Sequence, residues 1–167
     1  MVVGGDTVAT DKVEHCLAAR ARVTVVAPAL TPMLERRRVA GDIRYVGRPY
    51  RDGDLRGAFL AYASERDAGV VDALRAEAER ERVLLNVVDV PGACAFYAPA
   101  IVARGDLQIA IGTGGSSPGL ASALRRDLET RIGPEYEPYV AILGAVRQAL
   151  PGGARATVMA RLLNSEL

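Results

Sequence analysis

Five short β-branched runs alternate with helical patterns and turns between Val2 and Asp89, and such alternation leaves few folds open besides a parallel sheet with helices on its faces. The first repeat sets the pattern. Val3 runs into Gly4 and Gly5, apolar residues then recur at helical spacing from Thr7 to Arg20 (Val8, Val13, Cys16, Leu17), and "RVTVVAP" is a second strand closed by proline. Thr31 as N-cap and Pro32 at the first helical position predict a helix over "TPMLERRRVA". "DIRYV" and "GAFLAYAS" read as the third and fourth strands. "DAGVVDALRAEAERERV" reads as a helix with an exposed charged face, and "VLLNVVD" as a fifth, buried strand.

After Pro99 the pattern changes. "AIVARGDLQIAIGT" offers two β-like runs around "ARGD", an antiparallel ribbon; "GTGGSSPGLASALRRDLETRI" then places Ser117 as N-cap and Pro118 at the first position of a helix, and two further helices are broken at "PGG". The expected fold is α/β: a Rossmann-like doubly wound parallel sheet over 1–98, a small β-ribbon over 99–116 and C-terminal helices over 117–167. Lys and Arg number 21 against 20 Asp and Glu, a balance that gives no electrostatic case for nucleic acid or an anionic membrane. No apolar stretch approaches the roughly 20 residues of a membrane span. Cys16 and Cys94 lie far apart and there is one histidine, which suggests neither a metal site nor a disulfide, but reduced thiols in the cytoplasm.

Ligands of open parallel sheets sit beyond the carboxyl ends of the strands. That rule gathers residues 4–8, Ala27 to Ala29, Ala63 with Ser64, and Asn86 to Asp89 around one crevice. In the dinucleotide pattern G-x-G-x-x-G/A, Gly4 and Ala9 occupy the first and third glycine places, but Asp6 stands in the second, where the backbone approaches a pyrophosphate. Asp6 reads as an N-cap that takes the N–H groups a pyrophosphate would use. Charge repulsion at about 4 Å is then roughly 1 kcal/mol in water and about 4 at an effective dielectric of 20, so binding is weakened rather than abolished. No acidic residue ends the second strand to hold an adenosine ribose, which leaves backbone groups or Thr31. Asp89, before Pro91, reads either as a partly shielded general acid or base at the rim or as a carboxylate capping the next turn. Asn86 reads as a buried amide tying the strand end to a loop, or as a cofactor contact. His15 reads as a surface residue, Cys16 as a core thiol and Cys94 as a thiol able to approach the crevice. "GTGGSSPGLA" is either an anion seat at a helix N-terminus or a tight connection with an ordinary cap. Arg104, Arg125 and Arg126 flank it.

In their order, "VVGGDTVATDKVEHCLAARARVTVVAP" and "LLNVVDVPGACAFYAPAIVARGDLQIAIGTGGSSPGLASALRRDLE" resemble the siroheme synthase N-terminal family of NAD-dependent precorrin-2 dehydrogenases, some of which are also sirohydrochlorin ferrochelatases. The N-V-V-D strand end, F-x-x-P-A, R-G-D-L and T-G-G-x-S-P-x-L-A recur in that sequence. The resemblance implies an NAD-binding Rossmann domain, a dimerisation ribbon and a substrate-side helical region in a homodimer that oxidises precorrin-2 to sirohydrochlorin. It makes Asp89 the catalytic residue and carries nucleotide contacts to Gly4, Gly5, Thr7, Val8, Pro28 and Ala29, with Asp6 and Asn86 completing the expected cofactor site. On chemical grounds the tetrapyrrole carboxylates are expected at Gly114, Gly115, Ser116, Ser117 and Arg104. Three departures stand out. Family members carry three glycines where this chain has Gly4, Gly5 and Asp6. An A-T-D-D run is replaced by "ASERD". They also begin several residues further ahead of the first strand, so either the central strand is shortened here or its beginning lies upstream. A tetrapyrrole carrier, or a chelatase without a working nucleotide loop, is the alternative.

Overall fold

The computed structural model describes residues 1–163, and the chain divides into two compact units, one over Met1–Tyr97 and one beginning at Ala98. In the first unit the elements run β1 (Val2–Val3), α1 (Thr7–Ala18), β2 (Val23–Val26), α2 (Pro32–Val39), β3 (Ile43–Val46), β4 (Leu60–Ala63), α3 (Ala68–Glu81) and β5 (Leu84–Val87), then a single 3-10 turn over Pro91–Ala93. The strands form one sheet in the order β3-β2-β1-β4-β5, parallel throughout. This is the Rossmann-like doubly wound arrangement expected of the alternation. β1 is two residues long yet central, with Val2 opposite Val25 and Tyr62, and Val3 opposite Val26 and Ala63. Its ladder continues past both ends, because the Met1 amine donates to Leu60 O and the Gly4 N–H to Val26 O, both at 2.9 Å.

Side chains alternate across a strand, and the two faces carry separate cores. Val2, Val13, Val23, Val25, Leu34 and Ile43 pack under α1 and α2, while Val3, Ala61, Ala63, Val71, Leu74 and Leu85 pack under α3. No helix joins β3 to β4. Instead residues 47–59 cross as irregular chain, which inserts Leu55 into the α3-side core. The sheet face beside this crossover lies open as a groove of about 860 Å³ lined by Thr24, Val26, Arg44 and Val46.

The crossover is held by one side chain. Glu77 of α3 is fully buried, and its carboxyl group accepts from the Gly53 and Leu55 N–H groups, each at 2.9 Å, and from the Tyr50 hydroxyl. The charged face expected of α3 is therefore not wholly exposed. Glu77 lies between Leu74 and Ala78 on the buried face, and is tolerated there because each oxygen has a donor.

In the second unit β6 (Ala100–Arg104) and β7 (Leu107–Ile111) form an antiparallel ribbon, with Gly105 at φ +57 in the two-residue turn. α4 (Pro118–Arg131) packs on β6, and α5 (Tyr136–Ala149) and α6 (Gly152–Leu163) follow. Val102 and Ala121 are the buried hydrophobic residues of this unit among those described. Among the described residues no helix is long and apolar enough to cross a membrane.

Candidate functional site

The chain leaves β1 through two glycines that have separate steric reasons. Gly4 takes φ +117, and a Cβ there would collide with Ser64 Oγ; a Cβ on Gly5 would collide with the Ala29 carbonyl oxygen. The loop after β1 is thus wedged between the ends of β4 and β2, and the Thr31 N–H donates to Gly5 O at 3.0 Å to complete the contact. Gly5→Ala is expected to destabilise the protein by about 1–3 kcal/mol, read as a lowered urea midpoint with an unchanged slope.

Asp6 is the N-cap of α1. Its backbone is extended, and Oδ1 accepts from the Ala9 N–H at 2.8 Å. Thr7 and Val8 follow at the first two helical positions, whose N–H groups have no intrahelical acceptor. The helix therefore still presents amide donors, beside one resident carboxylate. Gly4, Gly5, Asp6, Pro28, Ala29, Thr31, Ser64 and Glu65 line a cleft of about 410 Å³. Thr31 caps α2, accepting from the Leu34 N–H at 3.3 Å, and shares a 2.8 Å hydrogen bond with Thr10 Oγ1. Since Thr10 donates to Asp6 O, Thr31 is the donor between the two hydroxyls. One lone pair of its oxygen remains for a ligand. In shape and donors the cleft fits the pyrophosphate turn of a dinucleotide: two glycines allow close approach, and the strand ends converge where such ligands lie. Its charge opposes that ligand at Asp6, and Glu65, which the sequence reading did not single out, adds a second carboxylate.

Asn86 is buried at the end of β5, and both hydrogens of its amide are engaged, one by Phe96 O at 2.9 Å and one by Cys94 Sγ at 3.5 Å. It ties the strand to the following loop, so the amide donors are withdrawn from a cofactor. Cys94 in turn contacts Val87 O and Val90 O. It lines a separate cavity of about 630 Å³ with residues of α3 and β5 rather than the expected crevice. Cys16 packs against the α1-side core, where burial pushes its thiol up from the usual range. His15 is on the surface, its Nδ1 2.7 Å from Asp11 O.

Asp89 stands in the turn beyond β5 at φ +62, a left-handed conformation that Asp and Asn adopt more readily than most residues. The expected partial shielding is corrected: its side chain is 78 % exposed, because the strand ends at Val87 and the turn lifts residue 89 off the sheet. Arg66, in the loop after β4, places a guanidinium nitrogen 4.0 Å from Asp89 Oδ2. Arg66 was not singled out in the sequence, although its place directly after a strand's carboxyl end was the available signal.

In the second unit Ser117 is the N-cap of α4, accepting from the Leu120 N–H at 3.3 Å, and the Ser116 and Ser117 N–H groups donate to Thr113. Gly114 and Gly115 hold left-handed φ of +60 and +82. Arg104 is engaged at the other end of α4. Its guanidinium donates to Ile132 O at 2.9 Å and Glu129 O at 3.2 Å, which satisfies carbonyls at the end of the helix, and to Ala103 O in β6 at 2.8 Å. The expectation that it meets substrate carboxylates gives way to this capping role.

The family described as putative NAD(P)-binding matches residues 1–100, and the sirohaem biosynthesis protein central family matches residues 104–131. The siroheme synthase of Methylobacillus flagellatus is 39 % identical over 150 residues, covering 90 % of this chain and 32 % of that protein. That of Thioalkalivibrio sulfidiphilus is 35 % identical over 167 residues, covering 100 % of this chain and 32 % of that protein. The chain spans about a third of the length of these relatives. A solved structure of SirC, precorrin-2 dehydrogenase, shares the fold with a TM-score of 0.79 and 24 % identity, over 98 % of this chain and 83 % of that one. A glycine loop seated at the ends of parallel strands, a ribbon after it and matches to both families in that order agree, and the chain belongs to the siroheme synthase N-terminal family.

Proposed function

We propose that this chain is an NAD-dependent precorrin-2 dehydrogenase of siroheme or cobalamin biosynthesis, acting in the cytoplasm as a homodimer. The observation that carries this reading is the loop Gly4 to Val8, lodged at the carboxyl ends of the strands within the stretch matched as putative NAD(P)-binding. NAD+, when bound, supplies the acceptor for a hydride leaving the macrocycle. The chain does the rest. Gly4 and Gly5 admit the pyrophosphate, the Thr7 and Val8 N–H groups face its charge, and Pro28 and Ala29 flank it from the end of β2. Asp89 receives the proton that accompanies the hydride, so precorrin-2 loses two hydrogens and sirohydrochlorin, NADH and a proton result. Gly114 and Gly115 offer backbone donors to a substrate carboxylate, with Ser116 and Ser117 shaping that turn. Pairing of two copies through the ribbon is supported by the exposure of Ile101, Leu120, Leu124 and Ile142 in a unit that buries little of its own.

One observation favours a second reading. Asp6 already occupies the end of α1, and if it excludes the dinucleotide the chain is a tetrapyrrole carrier, or a chelatase that uses Asp89 as proton acceptor. Calorimetric titration of NAD+ into the native protein and Asp6→Gly separates the two. Native binding, with NADH formed from precorrin-2, is expected, and Asp6→Gly should bind about tenfold tighter, within the range set by removing one like charge. Loss of the cap costs only a few tenths of a kcal/mol when glycine replaces it. Absent binding and turnover in the native chain, both regained in Asp6→Gly, would establish the second reading.

A further inference from the structure

The dehydrogenase reading leaves an electrostatic difficulty. Precorrin-2 is a tetrapyrrole carrying acetate and propionate side chains, yet the segments that follow the five strands hold Asp6, Glu65, Asp67 and Asp89. Among the described residues 4–8, 27–31, 47–49, 64–67 and 88–90, the cations are Arg48 and Arg66. Arg48 is committed, since both terminal nitrogens donate to Asp54 at 2.7 and 2.6 Å and hold that carboxyl below the usual range. Arg66 is not. Its side chain is 83 % exposed, and the partner it has is Asp89, at 4.0 Å. An exposed pair at that distance is weak, so opening it costs little, and most of the guanidinium N–H donors remain free for a second carboxylate.

We propose that Arg66 is a substrate-binding residue, gripping a peripheral carboxylate of the tetrapyrrole beside the proton acceptor Asp89. This rests on the dehydrogenase reading and adds to it a residue at which this chain departs from the family's acidic run. A bidentate guanidinium–carboxylate contact fixes orientation as well as position. It sets the ring edge next to Asp89 and offsets the repulsion from the four carboxylates on the rim.

The test is a fluorescence titration of sirohydrochlorin into native protein, Arg66→Ala and Arg66→Lys, with precorrin-2 kinetics on the same proteins. Arg66→Ala is expected to weaken sirohydrochlorin binding and raise KM about tenfold, with kcat at saturation within threefold of native and NAD+ affinity unchanged. Arg66→Lys should recover part of the loss. Binding and KM within twofold of native in Arg66→Ala, or a fall confined to kcat, would overturn the proposal, as would failure of the native chain to bind sirohydrochlorin. The titration requires no turnover. A native chain that binds sirohydrochlorin but forms no NADH therefore counts against the dehydrogenase reading, while the titration still decides the role of Arg66.

Discussion

Asp89→Asn is expected to lower kcat for NADH formation from precorrin-2 by about 10²–10⁴-fold, the usual worth of a positioned proton acceptor, or about 3–5 kcal/mol of barrier. The substitution isolates the chemistry. Asparagine accepts the left-handed backbone at φ +62 as readily as aspartate, and the side chain is exposed, so folding stability should change by less than about 0.5 kcal/mol. What is lost is the capacity to take a proton. The measurement is the initial rate of NADH absorbance at saturating precorrin-2, with a urea melt as the control for folding. A variant retaining more than a tenth of the native rate would move the proton acceptor to another residue.

Glu77→Ala should be the most damaging substitution away from the site. It leaves the Gly53 and Leu55 N–H groups and the Tyr50 hydroxyl without their acceptor, and Leu55 is fully buried. At about 1–3 kcal/mol for each unsatisfied buried group, partly relieved by water reaching Gly53, the loss is about 3–5 kcal/mol, a large share of what such a domain has. Urea unfolding with a fitted slope would show it, and a loss below about 1 kcal/mol would mean that the crossover finds other acceptors. The same cluster sets an alkaline limit. Burial, then the bond to Glu77, raises the Tyr50 hydroxyl above its ordinary value near 10. The folded state holds that proton more tightly than the unfolded chain does, so the contribution is complete below about pH 10 and is lost as pH rises beyond it. Tyr50→Phe should flatten that alkaline dependence in thermal melts.

Much of this was legible in the residues themselves. Proline after Thr31 and after Ser117 marked two helix starts, and both side chains cap as expected; Asp6 could be read as a cap because an extended residue with a short acceptor precedes a helix. Those are local effects, and local effects are written in neighbouring residues. Glu77 was misread for the opposite reason. Among "RAEAERE" it is one charge of several, and its burial follows from a crossover 22 to 24 residues earlier that lacks a helix and needs an acceptor. A helical projection placing residue 77 between Leu74 and Ala78 was the available clue. Asn86 was legible as a buried amide tied to the following loop, whereas the acceptors of Arg104 are backbone carbonyls as far as 28 residues away, and sequence spacing does not reveal which carbonyl a long polar side chain will reach. Asp89 was placed at the right strand end but given too dry a setting, because the turn that lifts it depends on a single left-handed residue.

The helix-free crossover also makes the join between the two halves of the sheet depend on a side chain from a later element. A helix in that position would satisfy its own amides as it emerged from the ribosome. Here the Gly53 and Leu55 N–H groups take their acceptor from Glu77, whose carboxyl α3 turns inward. Loss of that one carboxyl would therefore loosen the join between the β1, β2 and β3 half of the sheet and β4, the strand whose end sets Ser64 against Gly4.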